Sequence, residues 1–155
     1  MRHIKQEEIL EVRDLNFREV IGCKKPEKLL DFIKGEVDSD YKIICFGKQG
    51  TGKTLILKTI LYQLGLFDEN ATVDNCDTER DIKNIANGRY KYTTISAESC
   101  DDVVNKFRDT DSNFSNLILI ECDSVLDTKT NKYTKKIVGV TEILHKDGEL
   151  IHIYF

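Results

Sequence analysis

The sequence predicts an α/β domain: a mainly parallel sheet flanked by helices, followed by a C-terminal antiparallel β meander. Three observations carry that prediction. A short apolar run, Tyr41–Phe46, leads into a glycine-rich loop and then a helix-forming stretch, Leu55–Leu64, which stops at Gly65. Strand-like and helix-like segments then alternate, as they do where parallel strands are joined by crossover helices. The last third changes to apolar runs with a two-residue hairpin signal, Asp147-Gly148. With 155 residues, 40% hydrophobic and 32% charged, the chain fits one globular domain. It divides into an N-terminal helical extension (1–25), an α/β core (26–110) and antiparallel strands (114–155).

In chain order, Lys5–Asn16 reads as a helix with a ragged apolar face. Phe17, Val20 and Ile21 lead as a connection into Gly22. Pro26 suits the first turn of a helix over Glu27–Lys34, because its missing N–H costs nothing there, and Gly35 is the stop. Ala71–Asp74 reads as a short strand ending on a carboxylate. Asp77 can cap a helix through Ala86. Tyr90–Ala97 is rich in aromatic and β-branched residues and reads as a strand. Ser99–Phe107 places Val103, Val104 and Phe107 at helical spacing. Asn116–Val125, Ile137–Leu144 and Leu150–Phe155 read as the closing strands, with a polar turn over Asp127–Lys132.

The glycine loop carries the chemistry. Gly47-Lys48-Gln49-Gly50-Thr51-Gly52-Lys53-Thr54 is a complete G-x-x-x-x-G-K-[ST] phosphate loop, the Walker A pattern, in the strand–loop–helix setting it requires. Its glycines let backbone approach phosphates without Cβ clashes. Amides at the start of the following helix, with its dipole, favour an anion. Lys53 is expected to reach the β- and γ-phosphates. The Thr54 hydroxyl is expected to hold Mg²⁺, a hard cation that takes oxygen ligands. The ligand is therefore expected to be a nucleoside triphosphate, ATP in the first instance, with Mg²⁺.

Asp74 ends its expected strand on a carboxylate. Glu121, which follows Leu117-Ile118-Leu119-Ile120, imitates the end of a Walker B strand and is a candidate Mg²⁺ ligand. Thr94 and Ser96 are candidate γ-phosphate sensors, and Arg80, Arg89 and Arg108 are candidate arginine fingers.

The formal net charge of −4 argues against bulk electrostatic binding to nucleic acid or anionic membrane. No apolar run approaches a membrane span, and the first eight residues are too polar and acidic for a signal peptide. Cys23, Cys45, Cys76, Cys100 and Cys122 are dispersed, with no C-x-x-C spacing, and the histidines lie far apart. This pattern fits reduced thiols in the cytoplasm rather than a disulfide framework or a zinc site.

Several segments resemble the type II and type IV secretion ATPases and the pilus motor ATPases. Asp74–Glu79 is similar to their E-x-R-D-x-E-T stretch. Gly88–Ala97, ending Thr94-Ile95-Ser96-Ala97, is similar to their G-H…T-x-H-A segment. Lys136–Ile143 is similar to their R-x-V-x-x-I-x-E-V strand. The resemblance places the family's Walker B glutamate on Asp74, which is thereby expected to hold Mg²⁺ and serve as the catalytic acid, with Glu121 the reserve if Asp74 proves distant from Thr54. The family arginine falls on Cys76 and the histidine on Ser96, and Asp68 or Glu69 is expected to stand in for the family's acidic box. The resemblance implies a RecA-like P-loop NTPase fold, ATP hydrolysis, and assembly into a homo-oligomeric ring or larger complex with nucleotide at the subunit interfaces. Set against the family, the chain looks like a minimal member, with the large N-terminal domain expected to be absent or reduced to the first few dozen residues. Two other readings of the same loop stand beside hydrolysis: a nucleotide-binding switch or accessory subunit with little turnover, and a small-molecule kinase.

Overall fold

The computed structural model describes residues 4–21, 23–36, 42–48, 51–68, 71–76, 84–85, 91–109, 117–127, 132–144 and 150–154. At its centre is β1 (Lys42–Gly47), in which all six residues are buried. Such a run, apolar on both faces, is what a parallel strand covered on both sides by helices requires. β1 pairs in parallel with β3 (Tyr92–Ser96) on one side and with β4 (Leu117–Asp127) on the other. β2 (Asp74–Cys76) pairs in parallel with the outer side of β3. β5 (Lys132–Leu144) and β6 (Leu150–Tyr154) add antiparallel beyond β4, giving the order β2-β3-β1-β4-β5-β6. The protein is a mixed α/β structure whose parallel strands are flanked by helices.

Two apolar cores follow from the alternation of side chains along the strands. On one face Ile43, Cys45, Ile118, Ile120 and Cys122 pack against helices near the N-terminus and the helix after the glycine loop. These are α1 (Gln6–Arg13), α2 (Phe17–Ile21), α3 (Pro26–Glu36) and α4 (Lys53–Gln63). On the other face Ile44, Phe46, Ile95, Leu117 and Leu119 meet Val103, Val104 and Phe107 of α5 (Cys100–Arg108), together with Ile85. The spacing of those three residues on α5 brings them onto one stripe, and the Ser99 side chain caps the helix by accepting from the Asp102 amide.

The structure departs from the sequence reading at several elements. The first helix ends at Arg13, and a separate turn of helix, α2, occupies the expected connection, with the Asn16 side chain accepting from the Glu19 amide. α3 continues through Gly35 to Glu36, because nothing obliges that glycine to leave the helical region. β2 starts at Asp74 instead of ending there, since pairing with β3 selects Asp74–Cys76 over the stretch of better strand propensity before it. β4 and β5 run on to Asp127 and from Lys132, closing in on the expected turn. Of the helix expected over Asp77–Ala86, only Asn84 and Ile85 are described, and both are helical.

α1 is fastened to α4 by one polar cluster. The Lys58 ammonium donates to Glu8 at 3.0 Å, with both side chains 16% exposed. The other Glu8 oxygen accepts from the Lys5 amide at 2.9 Å, closing the N-terminus of α1.

Candidate functional site: the loop at the carboxyl end of β1

The site lies where the two helical layers part. β1 feeds α4 on one face of the sheet, and its neighbour β3 feeds α5 on the other. Adjacent parallel strands whose following helices leave on opposite faces open a crevice at their carboxyl ends, the usual ligand position in open α/β sheets. Gly47 and Ser96 pair at that end, and the Ala97 amide donates to the Gly47 carbonyl at 2.9 Å.

Within the loop, Gly47, Lys48, Thr51, Gly52, Lys53 and Thr54 are described, whereas Gln49 and Gly50 lie outside the described residues. Gly47 has φ +155°, and a Cβ there would collide with the Cys122 carbonyl of β4 and press on the Thr51 hydroxyl. Gly52 has φ +81°, a left-handed conformation that turns the chain into α4. Both glycines are therefore demanded by local geometry.

α4 begins at Gly52 without a side-chain cap and with no acidic residue in its first turn. α5, by contrast, carries its own anions, Asp101 and Asp102, and the Ser99 cap. The positive end of α4 is thus offset by neither a side-chain cap nor an acidic residue of its own first turn. Beside it, the Lys53 side chain is only 9% exposed and its ammonium donates to the Lys48 carbonyl at 3.0 Å. Burial pushes the Lys53 ammonium below its ordinary 10.5, partly offset by the Cys122 and Cys45 thiols nearby. The Cys45 thiol is itself raised well above its ordinary value, by burial first and then by its hydrogen bond with Cys122. The same Lys48 carbonyl accepts from the Thr51 hydroxyl at 2.8 Å. At the surface, the Lys48 ammonium stands 3.7 Å from Glu98 in an exposed pair that contributes little.

The carboxylates are arranged less simply. Asp74 pairs with Thr93, which stands opposite Ile44, so it lies two strands from β1 and three residues short of the Gly47 level. With strands about 4.8 Å apart and a rise of about 3.3 Å, its Cα is about 14 Å from that of Gly47. Glu121 pairs with Phe46, one strand away and one residue below Gly47, a Cα separation of about 6 Å by the same spacing. Yet Leu117 and Leu119 pack on the α5 face while Ile118, Ile120 and Cys122 pack on the α4 face. Alternation therefore sets Glu121 on the face opposite α4 and Thr54, although the register against β5 breaks between Ile120 and Cys122.

Asp68 is next to Tyr92, at the amino end of β3 and away from the loop; burial and this carboxylate push the Tyr92 phenol up. Arg108 ends α5, which runs back from the carboxyl ends of the strands, so it also sits at the far end. Glu69, Arg80 and Arg89 lie outside the described residues. Thr94, 4% exposed, and Ser96, exposed, stand on β3 opposite Cys45 and Gly47.

The structure thus brings together Gly47, Lys48, Thr51, Lys53, Ser96, Ala97 and the Cys122 backbone, and leaves Asp74 outside that group. Sequence reasoning missed Cys122. The unforgiving conformation of Gly47 was the signal, but which strand backs it cannot be read from spacing. Among the described residues, no three or more His, Cys, Asp or Glu converge as a metal site, and no helix is long and apolar enough to cross a membrane. No protein-family model matches the chain, and no curated protein sequence matches it either.

Proposed function

We propose that the chain binds a nucleoside triphosphate with Mg²⁺ through Gly47–Thr54 in a P-loop NTPase fold, and that it acts as a nucleotide-dependent switch or accessory subunit with slow turnover. The observation that supports this most strongly is the pairing of an uncapped, acid-free α4 N-terminus with the buried Lys53 ammonium at the crevice between β1 and β3. The Thr54 hydroxyl would hold Mg²⁺, which would supply neutralisation of the phosphate charge. The chain's own part is to present the loop amides and to place one ammonium against the phosphates. Slow turnover follows from the carboxylates: Asp74 is too far in register, and Glu121 is set on the other face of the sheet.

A second reading, the ATPase of the secretion-motor type with its ring assembly, is favoured by the broken register at Glu121, which offers a way for that carboxylate to reach the loop. One titration series separates the readings. Wild type binds Mg·ATP and Lys53→Ala loses that binding; unchanged affinity in Lys53→Ala refutes the assigned site. Asp74→Asn leaves affinity and any turnover unaltered. Rapid wild-type hydrolysis that Glu121→Gln abolishes establishes the second reading in place of the first.

A further inference from the structure

One carbonyl oxygen organises the loop. Lys48 O accepts from the Thr51 hydroxyl at 2.8 Å and from the Lys53 ammonium at 3.0 Å, with the Thr51 amide a longer third donor at 3.4 Å. A carbonyl oxygen has two lone pairs, so two good bonds saturate it. Thr51 is 4% exposed and Lys53 9%, so water has little access to replace either donor.

An arriving phosphate changes this balance. With three donors the ammonium is drawn toward the anion, and its hold on Lys48 O weakens. A buried acceptor left without a partner costs free energy comparable to its desolvation. The Thr51 hydroxyl removes that cost, because it remains on the carbonyl after the ammonium has gone. We propose that Thr51 is a positioning residue for Lys53: by keeping the Lys48 carbonyl hydrogen-bonded, it frees the ammonium to move from the loop's own backbone to a bound phosphate. Its packing agrees with this role. The hydroxyl oxygen lies 3.0 Å from where a Gly47 Cβ would stand, wedged between the first glycine and the carbonyl it serves.

The inference rests on the nucleotide-binding reading above, and the test separates the two. Mg·ATP affinity is measured by calorimetry for wild type, Thr51→Val and Thr51→Ser. The ¹³C-labelled ε-carbon of Lys53 is followed by NMR as each protein is saturated with Mg·ATP at one fixed pH. Thr51→Val is expected to bind Mg·ATP at least tenfold more weakly, which is about 1.4 kcal/mol. Its Lys53 signal is expected to move less than in wild type at saturation, because the ammonium then stays on the carbonyl. Thr51→Ser keeps the donor and matches wild type in both measurements. If the valine variant does not fold, Thr51→Ala carries the same expectations. A Lys53 signal that moves as far in the hydroxyl-free variant as in wild type overturns the proposal even where affinity falls, since a merely structural role would produce that pattern. Unchanged affinity overturns it as well. A wild type that binds no nucleotide overturns the functional reading itself, and this proposal with it.

Discussion

Replacing Gly47 by alanine puts the geometry of the loop under direct strain. The added Cβ would fall far inside van der Waals contact with the Cys122 carbonyl, a backbone atom of β4 that no rotamer change can move aside. Relief requires β4 to shift away from β1, where Phe46 pairs with Glu121 just below. Overpacking of this kind costs about 1–3 kcal/mol. Forcing an L-residue to φ +155° adds about 1–3 kcal/mol. The sum, about 2–6 kcal/mol, corresponds for a chain of this size to a fall in Tm of about 4–24 °C. Thermal unfolding followed by circular dichroism reads it. Gly35 provides the control of opposite sign: it lies inside α3, where a Cβ meets open space. Gly35→Ala is expected to stabilise by about 0.5–1 kcal/mol. A Gly47→Ala protein that melts with wild type would refute the close approach of β4 to the loop and the backing of the site by Cys122.

Three further outcomes follow from the same structure. Glu8→Ala removes both the Lys58 pair and the acceptor of the Lys5 amide, and is expected to cost about 1–3 kcal/mol in urea unfolding; a loss below 0.5 kcal/mol would show that α1 is not fastened to α4 this way. Gly65 has φ +73° with open space around it, so Gly65→Ala is expected to cost about 1–2 kcal/mol from backbone strain alone, well below Gly47→Ala. Lys53 titrates below its ordinary 10.5 in the folded protein, so folding favours the neutral amine. Its contribution to stability is therefore fully present above 10.5 and is lost as pH falls through the lowered folded value. Relative to Lys53→Met, the wild type is expected to gain stability as pH rises through that window; a constant difference across it would contradict the burial of the ammonium.

The parts of the fold legible in the sequence are those whose pattern is local. β1 is a short apolar run because both its faces are covered, and α5 shows helical spacing because one stripe of it is. The glycine loop is legible because Gly47 and Gly52 answer to φ angles and a close approach that a contiguous motif encodes. α2 was hidden, since a single turn of five residues carries no periodicity. β2 was displaced, because the Asp74–Cys76 pairing depends on β3, and Ala71–Val73 has the better strand propensity. The same dependence governs the candidate carboxylates. Asp74 follows the apolar residues as a metal ligand would, but strand order sets it two strands from the loop, with β3 between. Glu121 is brought beside β1 by pairing that no spacing reveals, and alternation then turns it to the other face. Cys122 reads as a small buried hydrophobe, which it is, while its carbonyl also backs Gly47.

A crystal structure with a non-hydrolysable nucleoside triphosphate and Mg²⁺ tests the central claim most directly. The phosphates are expected over the N-terminus of α4, with the Lys53 ammonium moved from the Lys48 carbonyl onto them and the Thr54 hydroxyl on the metal. Nucleotide bound elsewhere on the protein, or a Lys53 ammonium still on the Lys48 carbonyl with the loop empty at saturating nucleotide, would contradict it.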